Sequence, residues 1–334
     1  MSRDSQLPAA AACIAFAFAV ATVHPASAAA VGSLAYVGNQ GNGTISVIDT
    51  SNDTVVRTVP AAGSLGKKIQ AVIADHTGRT LFAVDAAANA LLVVDATSGA
   101  LIKSIDVGRS PEGASISPSG KTIAVCVEED NLVALVDVAS ATIRRKIQTQ
   151  GKNPEHCDFS ADERWLLASD ENSDDVDVID VAAGRSIALV HTAGGPRGIA
   201  WLPRRKLAYV AQERGGGVDL IDIDKHTVSE SIPTGLRPAD VIAGSDGKLV
   251  FVSNGGDGTV SAIDTASGTV IATTPVGKRP WNMALGGGGR KLYVANGRSD
   301  SVSVIDTTSF KVLTTISVGA LPWGVDIPHV PAVH

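Results

Sequence analysis

The chain has 334 residues, a formal net charge of −6, and 44% hydrophobic against 19% charged residues. This balance supplies the apolar side chains of a large core and excludes an intrinsically disordered chain. The acidic surplus argues against nucleic acid as a partner, because that function needs an excess of Lys and Arg on one surface.

The first 28 residues predict a cleaved secretory signal. Arg3 precedes an apolar stretch from 9 to 23, and Ala26-Ser27-Ala28 supplies the small residues that a signal peptidase needs. Residues 29–334 are then expected to form one exported domain, periplasmic or secreted, with no membrane span after cleavage. Retention of the segment as an uncleaved anchor is the alternative.

After the signal segment, one short sequence motif recurs: an apolar strand that ends on aspartate. The strand ends are Asp49, Asp95, Asp137, Asp180, Asp222, Asp264 and Asp306. The steps between neighbours are 46, 42, 43, 42, 42 and 42 residues. Seven copies at one period indicate a repeat protein, and a closed ring of repeats counts as a single domain.

One repeat contains four short β segments. In the unit 280–318 they span 281–285, 291–296, 301–306 and 311–318, each bounded by Gly, Asn, Asp or Ser. No stretch keeps a helical period of 3.6. Four-stranded antiparallel sheets with two apolar faces must stack on one another, which predicts an all-β, seven-bladed β-propeller.

The ends of the chain predict how the ring closes. The first unit begins directly at a second segment, 34–39, and the last unit continues into an extra first segment, 322–327. The C-terminal strand is therefore expected to be the innermost strand of the N-terminal blade, with 328–334 trailing outside.

The cysteines outside the signal, Cys126 and Cys157, fall in different repeats on strands expected to be buried. Two free core thiols are favoured over a disulfide. There is neither a Cys-x-x-Cys-His site for haem nor a paired-cysteine spacing for zinc, so we expect no metal and no cofactor.

The motifs Leu34-Ala35-Tyr36-Val37-Gly38-Asn39 and Lys291-Leu292-Tyr293-Val294-Ala295-Asn296, with the seven aspartate strand ends, resemble the YVTN family of β-propellers. The resemblance covers about 33–327. More narrowly, Pro154-Glu155-His156, Arg279-Pro280-Trp281-Asn282 and Pro322-Trp323-Gly324-Val325 resemble a subgroup found with quinoprotein (PQQ-dependent) catabolic systems in bacteria. That resemblance implies an accessory role there. The docking repeats of quinoprotein dehydrogenases are missing, so bound PQQ is not expected.

The repeated aspartates are interpreted as structural. Each ends a strand where its carboxylate can accept N–H bonds from the following turn, which needs no metal. Function is more readily assigned to the places where the repeats differ.

Those places surround the predicted channel mouth, where each inner strand starts at a proline, or at Ile69 in one repeat. Directly after that start come Gln70, Glu112, Glu155, Arg197, Ala239, Trp281 and Trp323. His156 and Asn282 follow one residue later, and Arg237 and Arg279 come just before the proline.

These positions predict an acidic sector and a basic sector beside two tryptophans. Glu112, Glu155 and His156 form the first, and Arg197, Arg237 and Arg279 form the second. Guanidinium groups beside aromatic faces suit a planar or carboxylated anion. The alternative is that the charges form a solvated rim and that Trp281 and Trp323 pack the closing blade.

Three functions follow. The favoured one is a periplasmic binding or accessory module whose mouth takes a small anionic molecule or a protein. The second is a lactonase-like hydrolase with Glu155, His156 and Arg197 as candidates, although Glu155 and His156, as neighbours in a strand, are expected to point to opposite faces. The third, and weakest, is single-stranded nucleic-acid binding through Lys67, Lys68, Arg109, Lys152 and Arg279.

Overall fold

The structure, a computed structural model, describes residues 33–202 and 205–328. The predicted signal segment and the residues after Pro328 lie outside the described residues. Within the described part, 28 short strands form seven antiparallel sheets of four strands, and the helical pieces are two 3-10 turns, Ala86–Ala88 and Gly287–Gly289. The predicted seven-bladed propeller is confirmed.

The strands of the first four blades follow in chain order. Blade 1 contains β1 (Leu34–Asn39), β2 (Thr44–Asp49) and β3 (Thr54–Val59). Blade 2 contains β4 (Ile69–Ala74), β5 (Thr80–Asp85), β6 (Ala90–Asp95) and β7 (Leu101–Asp106). Blade 3 contains β8 (Pro111–Ile116), β9 (Thr122–Val127), β10 (Leu132–Asp137) and β11 (Thr142–Gln148). Blade 4 contains β12 (Pro154–Phe159), β13 (Trp165–Asp170), β14 (Asp175–Asp180) and β15 (Arg185–His191).

The remaining strands complete the ring. Blade 5 contains β16 (Pro196–Trp201), β17 (Leu207–Gln212), β18 (Gly217–Asp222) and β19 (Thr227–Pro233). Blade 6 contains β20 (Pro238–Ala243), β21 (Leu249–Asn254), β22 (Thr259–Asp264) and β23 (Thr269–Pro275). Blade 7 contains β24 (Pro280–Gly286), β25 (Lys291–Asn296), β26 (Ser301–Asp306) and β27 (Lys311–Ser317). The last strand, β28 (Pro322–Asp326), returns to blade 1.

Ring closure follows the prediction. The order of strands in blade 1 is β28-β1-β2-β3, and Val37 of β1 faces Val325 of β28 in an antiparallel register. The inner strands contact those of both neighbouring blades all the way round, with β28 between β24 and β4. The two ends of the described chain are thus joined in one blade, and a central channel runs between the seven inner strands.

Burial explains why the blades stack. Val302 and Val304 on β26 are fully buried, and Ile305 is 1% exposed, because both faces of this strand meet apolar neighbours. Among the described residues, a cluster of buried apolar side chains fills each of the seven gaps between neighbouring blades. The hydrophobic effect is the main force holding such a ring together.

The aspartates that end the third strands are structural, as predicted. Asp306 Oδ1 accepts a hydrogen bond from Ser309 N at 2.7 Å, and Asp95 Oδ1 accepts one from Ser98 N at the same distance. Asp49, Asp137, Asp180, Asp222 and Asp264 accept equivalent turn N–H bonds. These bonds lower the pKa of the Asp306 and Asp95 carboxyls.

The two core cysteines are buried and free, as predicted. Both belong to the apolar cluster between blades 3 and 4. Burial, followed by the neighbouring Cys157 thiol, raises the pKa of Cys126. In the described part of the chain, no helix is both long and apolar enough to span a bilayer.

Candidate functional site

The inner strands begin at the channel mouth with a shared irregularity. In all seven, pairing with the second strand slips just after the first residue, for instance between Pro154 and His156. Such β-bulges re-aim side chains. In blade 4, Glu155 contacts the guanidinium of Arg197 at the mouth, whereas His156 lines the channel. The two side chains share no partner, so these lactonase candidates do not converge on one point.

Three arginines from consecutive blades meet one carboxylate, Glu213, in the turn after β17. Arg197 Nη1 lies 2.6 Å from Glu213 Oε2. Arg237 Nε lies 2.8 Å and Arg279 Nη2 2.9 Å from Glu213 Oε1. The side chains of Arg197 and Arg279 are 11% and 10% exposed, whereas that of Arg237 is 59% exposed.

The electrostatics of this arginine cluster (Arg197, Arg237, Arg279 and Glu213) favour the charged carboxylate. Burial alone would raise the pKa of Glu213, but the three guanidinium groups lower it to about 2. Burial lowers the pKa of Arg279, and the nearby Glu213 opposes that change. Glu213 is therefore ionised at neutral pH.

Arg197, from the predicted basic sector, also contacts carboxylates other than Glu213. Besides Glu213, it contacts Glu155, and its Nη1 lies 3.8 Å from Glu171 Oε1. Burial and the charge of Glu213 raise the pKa of Glu171. Of the predicted acidic sector, Glu155 thus belongs to one ion-pair network with the arginines, which are partly neutralised before any ligand arrives.

Blade 3 contributes a carboxyl pair to the same mouth. Burial, then the charge and hydrogen bond of Glu128, raise the pKa of Glu112 to about 8, so Glu112 holds a proton at neutral pH. Gln70 Nε2 donates to Glu112 Oε1 at 2.8 Å, and Asn153 Nδ2 donates to Glu128 Oε1 at 3.0 Å. The proton on Glu112 allows its carboxyl group to lie beside that of Glu128.

Several buried polar atoms at this end of the channel have no hydrogen-bond partner among the described residues. They are Arg197 Nε, Arg279 Nη1, Gln70 Oε1 and Glu155 Oε2. Unmade bonds at buried polar atoms are costly, and native proteins satisfy nearly all of them. A group of such atoms at one opening suggests that a polar molecule supplies the partners.

Two rings meet across the channel below the mouth. Trp323 of blade 1 is 2% exposed, and its ring stacks on His156 of blade 4 with centroids 5.5 Å apart and planes 13° apart. Asn282 of blade 7 places Nδ2 3.4 Å from His156 Nε2. Burial lowers the pKa of His156 to about 4, so the ring is neutral. Because blades 1 and 4 lie on opposite sides, these side chains span the channel.

Trp281 lies in a different environment from Trp323, its equivalent in the neighbouring blade. It is partly buried over the turn after β25, where a Cβ on Gly297 would come within 2.2 Å of the indole Cε3. Only glycine leaves room for this ring. Neither Trp281 nor Trp323 stacks on an arginine. The cation–π contact recorded among the described residues joins Arg164 and Trp165, outside the mouth.

Below the stacked rings, the channel holds a chamber of about 390 Å³ lined by all seven inner strands. A second cavity of about 600 Å³ lies beside the arginine cluster at the mouth. Its walls are Glu171, Arg197, Glu213, Arg214, Gly216, Leu236 and Arg237. In the described part of the chain, no group of three or more His, Cys, Asp or Glu side chains is arranged to hold a metal.

The sequence interpretation missed three glutamates that organise the mouth. Glu128, Glu171 and Glu213 are the first residues after the second strand of blades 3, 4 and 5. The last residue of that strand differs between these blades, being Val127, Asp170 or Gln212. One residue further, the sequence has glutamate in three consecutive blades, which is the signal that identifies this position.

Fold and site together define a seven-bladed β-propeller with a charged channel mouth. The family model described as YNCE-like beta-propeller matches residues 115–287, just over half of the chain. The chain therefore belongs to the family of YNCE-like β-propellers, in line with the YVTN-type resemblance.

Solved structures share the fold. Hydrazine synthase of Kuenenia stuttgartiensis is 22% identical with a TM-score of 0.68, covering 76% of this chain and 87% of that one. A functionally unknown protein from Desulfotomaculum acetoxidans DSM 771 is 15% identical with a TM-score of 0.77, covering 89% of this chain and 99% of that one. At these identities the likeness concerns the fold alone. No curated protein matches the chain.

Proposed function

We propose that this propeller is a binding module that holds a small carboxylate-bearing anion at its channel mouth, beside the arginine cluster. One observation carries the proposal: three guanidinium groups share the single carboxylate of Glu213, and two of their buried N–H groups have no partner among the described residues. The oxygens of a carboxylate would accept those bonds, and charge-assisted bonds of this kind are the strong ones.

The geometry supports binding from the solvent side. The cavity of about 600 Å³ beside the cluster falls in the size range of small-molecule sites. Arg237 forms part of its wall and is the exposed member of the cluster. Glu213 fixes the three side chains in one place before the ligand arrives, which reduces the entropy lost on binding.

The mixed charge of the network sets the selectivity that we expect. Glu155, Glu171 and Glu213 lie near the same arginines, so a bare, highly charged anion would meet repulsion as well as attraction. A small dicarboxylate with an apolar spacer can use the arginine N–H groups and the side chain of Leu236 together. We therefore choose glutarate as the first probe.

The alternatives receive less support. Glu155 is held by Arg197, and His156 lies beneath Trp323, so a lactonase would have to use separated groups. Trp323 is buried and offers no free face to a nucleic-acid base. Export and association with a quinoprotein dehydrogenase or another periplasmic protein stay predictions. Cell fractionation and the identity of neighbouring genes would test them.

The test is isothermal titration of glutarate and of neutral glutaramide into three proteins: the unchanged chain, Arg237→Gln and Arg144→Gln. Arg144 is a matched control, because it is 56% exposed and faces a single carboxylate, Asp137, at 3.5 Å. Loss of one charge-assisted bond, about 1.5–3 kcal/mol, weakens glutarate binding by about 10- to 150-fold in Arg237→Gln.

We expect Arg144→Gln to bind glutarate like the unchanged chain, and glutaramide to bind none of the three proteins measurably. Absence of glutarate binding to the unchanged chain would overturn the proposal. Equal affinities for the unchanged chain and Arg237→Gln would overturn it as well.

A further inference from the structure

The chamber below the stacked rings is separate from the arginine cluster. It begins at the level of His156 and Asn282 and continues to Asp158 and Asp326, two residues further along the inner strands. Trp323 does not line it, although the next residue, Gly324, does, so the indole lies on the mouth side. A ligand in the chamber would therefore meet a different set of side chains from a ligand at the mouth.

The chamber wall has carboxylates and no cation. Asp158, Asp240 and Asp326 line it, and none of its described lining residues is Lys or Arg. Asp240 Oδ2 accepts a bond from Met283 N at 2.8 Å, and Asp326 Oδ2 accepts one from Ala74 N at 2.8 Å. These main-chain bonds tie neighbouring blades together, but no cationic side chain among the described lining residues pairs with the carboxyl groups.

Two further polar atoms on this wall have no partner among the described residues. His156 is 8% exposed and lines the chamber, and its Nδ1 is unbonded there. Ser115 Oγ, which is buried at the same strand level as Asp158 and Asp326, is also unbonded. Because Nε2 faces the amide NH2 group of Asn282, the neutral imidazole carries its proton on Nδ1 and can donate there, whereas the Ser115 hydroxyl can accept a hydrogen bond from an ammonium group.

The rest of the wall is apolar and includes an aromatic ring. Ile116, Ile199 and Val241 are among its aliphatic side chains. The ring is Trp201, whose Nε1 donates to the main-chain oxygen of Asp158 at 3.1 Å. Carboxylates beside an indole are suited to organic ammonium groups, since the indole face attracts cations and the aliphatic wall receives the carbon chain.

We propose that this chamber binds a small organic cation, an alkyl diamine or related ammonium compound, between the carboxylates of Asp158, Asp240 and Asp326. The carboxylates belong to blades 4, 6 and 1, so Asp158 and Asp326 lie on opposite sides of the channel. Two separated charges of one extended ligand can reach both sides. The described residues contain no group of three or more side chains that could hold a metal ion.

Protonation of the side chains that line the chamber makes binding of the proposed cation depend on pH. Its titratable lining groups are His156, Cys157, Asp158, Asp240 and Asp326. Burial raises the pKa of Asp158 and Asp240 to about 7 and that of Asp326 to about 6. A bound cation favours the ionised carboxylates, so binding releases protons and strengthens as the pH rises from 6 to 8.

The test is isothermal titration of putrescine, 1,4-butanediol and calcium chloride at pH 8 and pH 6. The variants are Asp158→Asn and Asp326→Asn, with Asp224→Asn as the control, because Asp224 is 64% exposed and pairs only with Lys206 among the described residues. Thermal unfolding of each variant checks that the fold is retained. Asparagine keeps an oxygen that can accept the bond from Ala74 N.

We expect putrescine to bind at pH 8, at least tenfold more weakly at pH 6, and at least tenfold more weakly to either chamber variant than to Asp224→Asn. Butanediol should not bind. Absence of putrescine binding, equal binding by both chamber variants and the control, or binding of calcium in its place would each overturn the proposal. Arg237→Gln should leave putrescine affinity unchanged, which separates this result from that at the mouth.

Discussion

Asp170 provides a test of how the repeat's structural positions work. It ends β13 at the position that Asn39 holds in blade 1, where Asn39 Nδ2 donates to Ser46 Oγ at 2.9 Å. In blade 4 the equivalent of Ser46 is Asp177, so two carboxyl groups face each other. Neither side-chain oxygen of Asp170 forms a hydrogen bond of good geometry with the described residues. We predict that Asp170→Asn stabilises the protein, because the new amide can donate to Asp177.

The magnitude follows from proton linkage. Burial and the charge of Asp177 raise the pKa of Asp170 from 3.8 to about 10. Between these values the folded protein keeps a proton that the unfolded chain releases, so the free energy of unfolding falls by about 1.4 kcal/mol per pH unit. At pH 7 the aspartate lowers the free energy of unfolding by about 4 kcal/mol, and we expect the Asp170→Asn substitution to restore about half of this loss or more.

The assay is urea unfolding of the unchanged chain, Asp170→Asn and the exposed control Asp224→Asn at pH 5 and pH 8. The stabilisation by Asp170→Asn should grow by as much as about 4 kcal/mol between these pH values, whereas the control should show no such change. A pH-independent difference, or an Asp170→Asn variant less stable than the unchanged chain at pH 8, would refute the reasoning.

Three other outcomes are expected. Trp323→Ala should lower the free energy of unfolding by about 3–5 kcal/mol, since it removes the buried ring that stacks on His156, and an unchanged denaturation midpoint would contradict that packing role. Glu213→Gln should cost about 3–5 kcal/mol at pH 7, because it leaves buried guanidinium groups without their anion. The pKa of Glu213 is about 2 in the folded chain and 4.5 in the unfolded chain, so the stability advantage of the unchanged chain over Glu213→Gln should disappear as the pH falls from 4.5 to 2. A difference in the free energy of unfolding that stays constant over this range would argue against the ion pairs of Glu213. In protein without residues 1–28, a thiol reagent should label Cys126 and Cys157 only after denaturant is added, and labelling of the native state would contradict their burial.

The fold was predictable because its information is local and repeated. Each blade contains the same strand-ending aspartate, which binds the next turn, and the same apolar strands with both faces buried. The unpaired segments at the two ends of the repeat region also predicted closure, and β28 does pair with β1. The length of the repeat and the spacing of its turns are enough to predict these features.

The site was only partly predictable because its contacts join different blades. Comparison of the seven repeats identified Arg197, Arg237 and Arg279, but nothing in the sequence pointed to Glu213 as the carboxylate that they share. The bulge after the start of each inner strand sets which residue faces the mouth and which faces the channel, and a strict two-residue alternation does not predict it.

The ring contact across the channel shows the same limit. Trp323 and His156 belong to blades 1 and 4, so their stacking depends on the width of the channel rather than on any sequence spacing. The sequence suggested that Trp323 either binds a ligand or packs the closing blade. In the structure it is buried against a residue on the far side, which divides the mouth from the chamber.

The most direct test of a ligand at the mouth observes the unpartnered arginine N–H group itself. In protein labelled with nitrogen-15 arginine, the Nε–H signal of Arg197 should shift as glutarate is added, while that of Arg144 on the outer strand β11 stays in place. The variant Arg237→Gln should need about tenfold more glutarate for the same shift. A stationary Arg197 signal at saturating glutarate, or equal shifts at Arg197 and Arg144, would contradict the proposed function.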